Sequence, residues 1–332
     1  MFFETRKLTQ WLAAGAMAVT AAGAAQAQSE VIIGSRESGS NFYVVAATTA
    51  ALLGEHSDLT GKVLPAAGGS VWVPMMDYRE VDMGVTSHYE AWLAWKGKGG
   101  FNAPHKMRTV VVGGGINVGL YVMDDSDITS RSEIKGLRMA SEYSGSPAVD
   151  DFAAAELANA GLSFDDMQAQ PRASLYAGQR EDVSEGRLDV FYASVGSGIT
   201  AELDSTLGIR FLPLDTSDEA IARMKEVYPA VVSEVKAGPP GIDEDMTLVY
   251  LPTYLVAHAD VPEDMVYETT KTMFEHNDEF RAANKSLGNW LKENFATADS
   301  VLPYHDGAIK YFKEAGVWTD EMQAKQDALL AE

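Results

Sequence analysis

The chain has 332 residues, 26 Lys+Arg against 48 Asp+Glu for a net charge of −22, 46% hydrophobic residues and no cysteine. That acidity excludes nucleic acid as a partner, because phosphate binding needs a basic face. Without cysteine there is no disulfide, no thiol nucleophile and no lipid-modified cysteine. The length is more than one core ordinarily serves and predicts two domains.

Residues 1–27 read as an export signal. Arg6 and Lys7 give a positive start, residues 11–25 are apolar and alanine-rich, and Ala25-Gln26-Ala27 is a small-x-small cleavage site. The expected product is a free periplasmic protein. From residue 30 strand-like and helix-like stretches alternate, the pattern of an α/β protein with mainly parallel sheets. Val31-Ile32-Ile33 is the first strand. It leads through Gly34-Ser35-Arg36-Glu37-Ser38-Gly39-Ser40-Asn41 to a helix over 42–53, closed at Gly54. Strands follow at 62–65 and 83–86. Between them Ala67-Gly68-Gly69-Ser70 opens a second helix, with Pro74 expected in its first turn and 69–73 as a loop that turns Trp72 toward a cleft. Residues 87–95 read as a helix stopped at Gly97. Two apolar runs, 109–113 and 118–123, are joined by Gly113-Gly114-Gly115, a candidate hinge.

A second cycle predicts strands at 137–140, 188–193 and 208–214, with helices at 147–159, 174–185 and 198–205. After Gly238-Pro239-Pro240-Gly241 comes one extended run, 247–258, then helices at 263–275, 279–293 and from 306 to the end. A chain that leaves one domain, builds a second and returns needs two crossovers, placed at the triple glycine and the 247–258 run. The expected domains are 28–116 plus 248–332 and 117–247.

The order and spacing of several motifs resemble the TAXI branch of the extracytoplasmic receptors of tripartite ATP-independent periplasmic (TRAP) transporters. Gly34 to Tyr43 is similar to that family's opening Gly/Ser turn with paired aromatics. Gly68-Gly69-Ser70 through Asp82-Met83-Gly84-Val85, then Ile134-Lys135-Gly136-Leu137-Arg138 with its Ser144–Ser146 loop, and Gly186-Arg187-Leu188-Asp189-Val190-Phe191 follow in the family's order. Arg36, Glu37, Arg79 and Pro147 depart from its pattern. The resemblance implies a type II periplasmic-binding-protein fold, two Rossmann-like α/β lobes joined by hinge strands with ligand between them. It also implies TRAP membrane subunits as partners.

The candidate ligand contacts follow from strand ends and helix starts, where backbone N–H groups and hydroxyls converge on an anion. Ser38, Ser40 and Asn41 either touch ligand or cap the helix they precede. Ser70 carries the same two readings, and Tyr43 either reaches back over the pocket with its hydroxyl or fills the core. Thr86 and Ser87 after their strand, Ser144 and Ser146 as the second lobe's counterpart of the first turn, and Tyr192 and Ser194 closing over the ligand are further candidate contacts. Tyr89, three residues from Trp92, belongs to a core-like stripe with one edge toward the pocket. Arg36 is placed to grip a carboxylate, with Glu37 beside it as a neutralising neighbour, and Arg172 is a second candidate cation. Asp189 is expected to pin backbone.

No cofactor or metal is expected. The histidines at 56, 88, 105, 258, 276 and 305 have no ligand spacing, and Gly196-Ser197-Gly198 lacks a nucleophile elbow. The reading is a solute receptor for a small organic anion, a carboxylate or an amino acid. Its alternatives are an exported hydrolase or lyase on the same fold, and a receptor of an ATP-driven transporter or a membrane sensor.

Overall fold

The computed structural model describes residues 29–332, so the export signal lies outside the described residues. In chain order the elements are β1 (Ser29–Arg36), α1 (Asn41–His56), β2 (Leu59–Ala66), α2 (Gly69–Asp77), β3 (Met83–Ser87), α3 (His88–Lys96), β4 (Met107–Met123), β5 (Arg138–Ser141), α4 (Ala148–Asn159) and β6 (Gln168–Pro171). They continue with α5 (Gln179–Ser184), β7 (Phe191–Ser194), α6 (Gly198–Leu207), β8 (Ile209–Phe211), α7 (Asp218–Val227), β9 (Val231–Val235), β10 (Met246–His258), α8 (Glu263–Glu275), α9 (Asn277–Ala283), α10 (Asp306–Glu314) and α11 (Asp320–Leu330).

The fold is two-lobed, but the lobes share one sheet. Its order is β2-β1-β3-β10-β4-β7, with β8 also on β4 and β9 also on β10; β5 and β6 form a separate parallel pair. β1 lies parallel between β2 and β3. The long strands β4 and β10 are antiparallel to each other and pass through both lobes. The last residues of β10 meet β3, while its first residues meet β9.

One core gathers Val31, Phe42, Leu53, Phe280, Trp290 and Phe312 behind the first lobe. The other runs without interruption from Trp72 and Leu93 of the first lobe to Phe152, Tyr121 and Phe211 of the second. The lobes are therefore in packed contact.

Local chemistry explains the element ends. The Ser40 hydroxyl accepts from Tyr43 N at 3.1 Å and starts α1. The helix does not stop at Gly54. It runs to His56 because Ser57 closes it, its N–H and hydroxyl both reaching Leu53 O. Gly34 and Ser35 belong to β1, not to the turn. The expected helix over 174–185 begins only at 179, because the Ser174 hydroxyl accepts from Tyr176 N and Ala177 N in a side-chain turn. The helix expected at 279–293 ends at Ala283 and gives way to short 3-10 turns.

The triple glycine is not a loose junction. All three residues lie inside β4, and a Cβ on Gly113 would strike Trp290, on Gly114 Asn289, and on Gly115 the Tyr250 ring. Gly115 N donates to Tyr250 Oη at 2.7 Å and Gly115 O accepts from Asn289 Nδ2 at 2.7 Å. These glycines let two aromatic rings lie flat on a strand. Pro252 sits within β10 where the partner on one side changes from β9 to β3, so its missing N–H interrupts no ladder there.

Candidate ligand-binding site

The ends of β1, β3 and β7, the first turns of α1 and α4, and the crossing strands meet at one cavity. It is a narrow cavity of about 20 Å³, lined by Arg36, Ser40, Asn41, Phe42 and Ser87 from the first lobe. Val149, Phe152, Leu175, Tyr176, Tyr192 and Ser194 come from the second lobe. Ile116, Val118 and Leu251 come from the crossing strands. Nine of those fourteen are carbon-rich side chains, two of them tyrosines, around one cation.

Arg36 is 5% exposed. Its Nη2 donates to Ser146 Oγ at 2.5 Å, across the lobe boundary, and lies 3.5 Å from Glu90 Oε2. Glu90, in the first turn of α3, accepts from Thr86 Oγ1 at 2.6 Å and from Ser146 Oγ at 2.5 Å. Phe42 lies under the guanidinium, 5.5 Å from ring centroid to Cζ. Nη1 of Arg36 is buried and has no hydrogen-bond partner. Such an atom costs stability until something accepts from it.

The other expected site residues divide. Ser40, Asn41, Ser87, Tyr192 and Ser194 line the cavity with Arg36, although Ser40 and Ser87 also cap their helices. Ser146 holds the guanidinium directly, and Thr86 stands behind it through Glu90. Asn41 reaches Val195 O at 3.3 Å, and Ser70 Oγ reaches Ser144 O at 2.8 Å, so both bridge the lobes.

Glu37 does not neutralise Arg36. Its Oε1 accepts from Ser174 Oγ in the other lobe, and Glu90 takes the arginine. Arg172 is held by Asp182 at 2.9 Å and faces a neighbouring pocket with Ser174 and Gln179. Trp72 is not turned to the cleft. It is 1% exposed in the core, inside α2, with Pro74 in the helix interior and not its first turn. Tyr89 donates to Asp151 at 3.0 Å outside the cavity lining, Ser38 is exposed, and Tyr43 is half-buried away from the lining. Asp189 pins backbone, accepting from Arg138 N at 2.9 Å.

Glu90, Phe42, Leu175 and Tyr176 escape a sequence reading. Glu90 stands where a Ser cap followed by an acid three residues on signals only a helix start. Two of the scattered histidines do come together: His56 and His276 stack at 3.6 Å, with Glu279 Oε2 2.9 Å from His56 Nε2. More than 200 positions separate these helices in the chain, which is why spacing shows nothing.

His88 opens α3 beside the site, and burial pushes its imidazole down to about 4. The folded state thus binds fewer protons than the unfolded chain between about 4 and 6.5. The contribution of His88 is present above 6.5 and is lost as pH falls toward 4, about 3 kcal/mol in all. Asp150, pushed up to about 6 by burial, acts in the opposite sense over a similar range. Comparing wild type with His88→Gln removes that opposing term. The stability difference between them is expected to shrink by about 3 kcal/mol from pH 7 to pH 4, read by urea unfolding.

Residues 33–316 match the sequence model of the NMT1-like family. Among solved structures, PhnD1 from Prochlorococcus marinus in complex with methylphosphonate aligns over 88% of this chain and 100% of its own. The identity is 12% and the TM-score 0.55. A protein of Bordetella bronchiseptica RB50 aligns over 90% and 98%, with 15% identity and a TM-score of 0.51. The periplasmic aliphatic sulphonate binding protein SsuA of Escherichia coli aligns over 90% and 78%, with 14% identity and a TM-score of 0.43. At these identities the likeness is one of fold.

Proposed function

The chain belongs to the NMT1-like family, and from that premise we propose that it is a periplasmic solute-binding receptor. It captures a small organic anion, a carboxylate in the first instance, between its lobes and delivers it to the membrane subunits of a TRAP transporter. The observation that carries this reading is the free Nη1 of Arg36, a buried cationic donor in a cavity to which both lobes contribute. The bound methylphosphonate of PhnD1, an organic anion on the same fold, supports it. TRAP subunits as the partner rest on the motif resemblance alone.

The net charge of −22 repels anions at long range. Affinity therefore comes from the local hydrogen bonds and the guanidinium, not from steering. Opening and closing bend β4 near 114–118 and β10 near 246–250, and ligand favours the closed state by its contacts to both lobes. No nucleophile or metal motif stands at the cavity to alter what is bound.

Thermal unfolding of the mature protein against small carboxylates, amino acids and aromatic acids tests the reading. At about a hundred times its dissociation constant a ligand adds roughly 2.7 kcal/mol, a shift of several degrees. The expected result is a shift with one chemical class and recovery of the compound unchanged. Chemical conversion of the compound would support the enzyme reading instead. Uptake by vesicles holding TRAP subunits, driven by an ion gradient, tests the partner, and dependence on ATP would refute it.

A further inference from the structure

We propose that the site selects an anion with one charge and an apolar body, and rejects amino acids and dicarboxylates. This rests on the receptor reading above and names its substrate class. Arg36 is the single cation among the cavity-lining residues, and its Nη2 is already engaged. Nη2 is held by Ser146 and Glu90, and Glu90 is itself filled by the Thr86 and Ser146 hydroxyls. One buried edge, Nη1, remains for a ligand oxygen.

A second carboxylate would be set against Phe42, Ile116, Val118, Phe152, Leu175 or Leu251, none of which can solvate it. An amino acid meets the converse difficulty. Its ammonium needs a carboxylate or several acceptors, and no carboxylate lines the cavity. Glu37 is not among the lining residues; its Oε1 is taken by Ser174, and its buried Oε2 is without a partner but outside the lining. The same apolar walls favour a branched or aromatic hydrocarbon body, because burying carbon there removes it from water.

Isothermal titration of the mature protein with four matched compounds decides the matter: 4-methylpentanoate, L-leucine, glutarate and 4-methylpentanamide. L-Leucine keeps the body and adds an ammonium, glutarate adds a second carboxylate, and the amide removes the charge. The expected result is binding of 4-methylpentanoate, with each of the others weaker by about tenfold or more. Arg36→Gln should bring the acid and the amide to within about threefold of each other. The comparison of acid with amide on the wild-type protein needs no variant to fold. Leucine or glutarate binding as tightly as 4-methylpentanoate overturns the selectivity while leaving the receptor reading intact. Binding of none of the three carboxylate-bearing compounds, nor of any acid in the wider panel, overturns both.

Discussion

Replacing Arg131 with methionine is expected to lower the unfolding free energy by about 3–5 kcal/mol, because it strands a buried carboxylate. Arg131 is 3% exposed and Glu156 is 0% exposed, with Nη1 and Oε2 2.5 Å apart. The guanidinium also donates through Nε and Nη2 to Leu212 O, and Leu120 N donates to the same Glu156 oxygen. The pair ties the 3-10 turn at Arg131–Ile134 to α4, to β4 and to the segment after β8, so it organises the second lobe from within. Burial pushes the Glu156 carboxyl up, and Arg131 is its counterweight. Without the arginine the carboxyl protonates more readily in the folded than in the unfolded chain. The loss should therefore shrink as pH is lowered toward the unfolded carboxyl's range. Removing both charges in Arg131→Met/Glu156→Leu should recover part of the loss, since an uncompensated charge costs more than a missing pair. Urea unfolding followed by tryptophan fluorescence measures all three. A single variant with unchanged midpoint would mean that the pair contributes nothing net.

Trp72→Ala should cost a similar amount, about 3–5 kcal/mol, as a buried aromatic replaced by a void. The indole lies flat on the sheet because Gly34 and Gly84 carry no side chain beneath it. A Cβ at Gly34 would come 2.7 Å from the ring, and one at Gly84 would overlap it. Gly84→Ala alone should then cost about 1–3 kcal/mol by overpacking. In the Trp72→Ala background it should cost much less, because the new methyl enters vacated space. Equal costs in the two backgrounds would show that the glycine answers to something other than the indole. Gly34 and Arg36 stand two apart on one face of β1, so any shift of the strand moves the guanidinium. Ligand affinity should fall in Gly34→Ala even though that residue touches no cavity.

That tryptophan shows where a linear reading of this chain succeeds and where it stops. Signals carried by neighbours in the chain were readable: the Val31–Ile33 strand, the Ser40 cap, the Gly97 stop, and α8 over Glu263–Glu275. They placed Arg36, Ser40, Asn41, Ser87, Tyr192 and Ser194 at strand ends and helix starts, and the fold brings these to one cavity. What depends on distant partners was not readable. Gly34, Gly84 and the triple glycine look like loop chemistry, yet each is emptied of side chain for an aromatic or amide group far off in the chain. Glu37 looks like the partner of Arg36 because it is adjacent, but successive residues of an extended segment point opposite ways, and Glu90 takes the guanidinium. Residues 215–237 were given no element, although α7 and β9 lie there. α7 does carry a local signal, the Ser217 cap with Ala220, Ile221, Met224 and Val227 at helical spacing, whereas the half-exposed edge strand β9 shows little apolar alternation.

The sheet that crosses both lobes has a mechanical consequence. β4 and β10 remain paired from Met107–His258 to Val118–Val249, with the register slipping beside Pro252. A pair of strands so bonded does not swing like a loose strap; it flexes like a leaf spring with a rest angle. Prising the lobes apart loads curvature into that ladder, and letting go returns it. For the receptor proposed above, release of the ligand is then expected to work against the stiffness of this ladder.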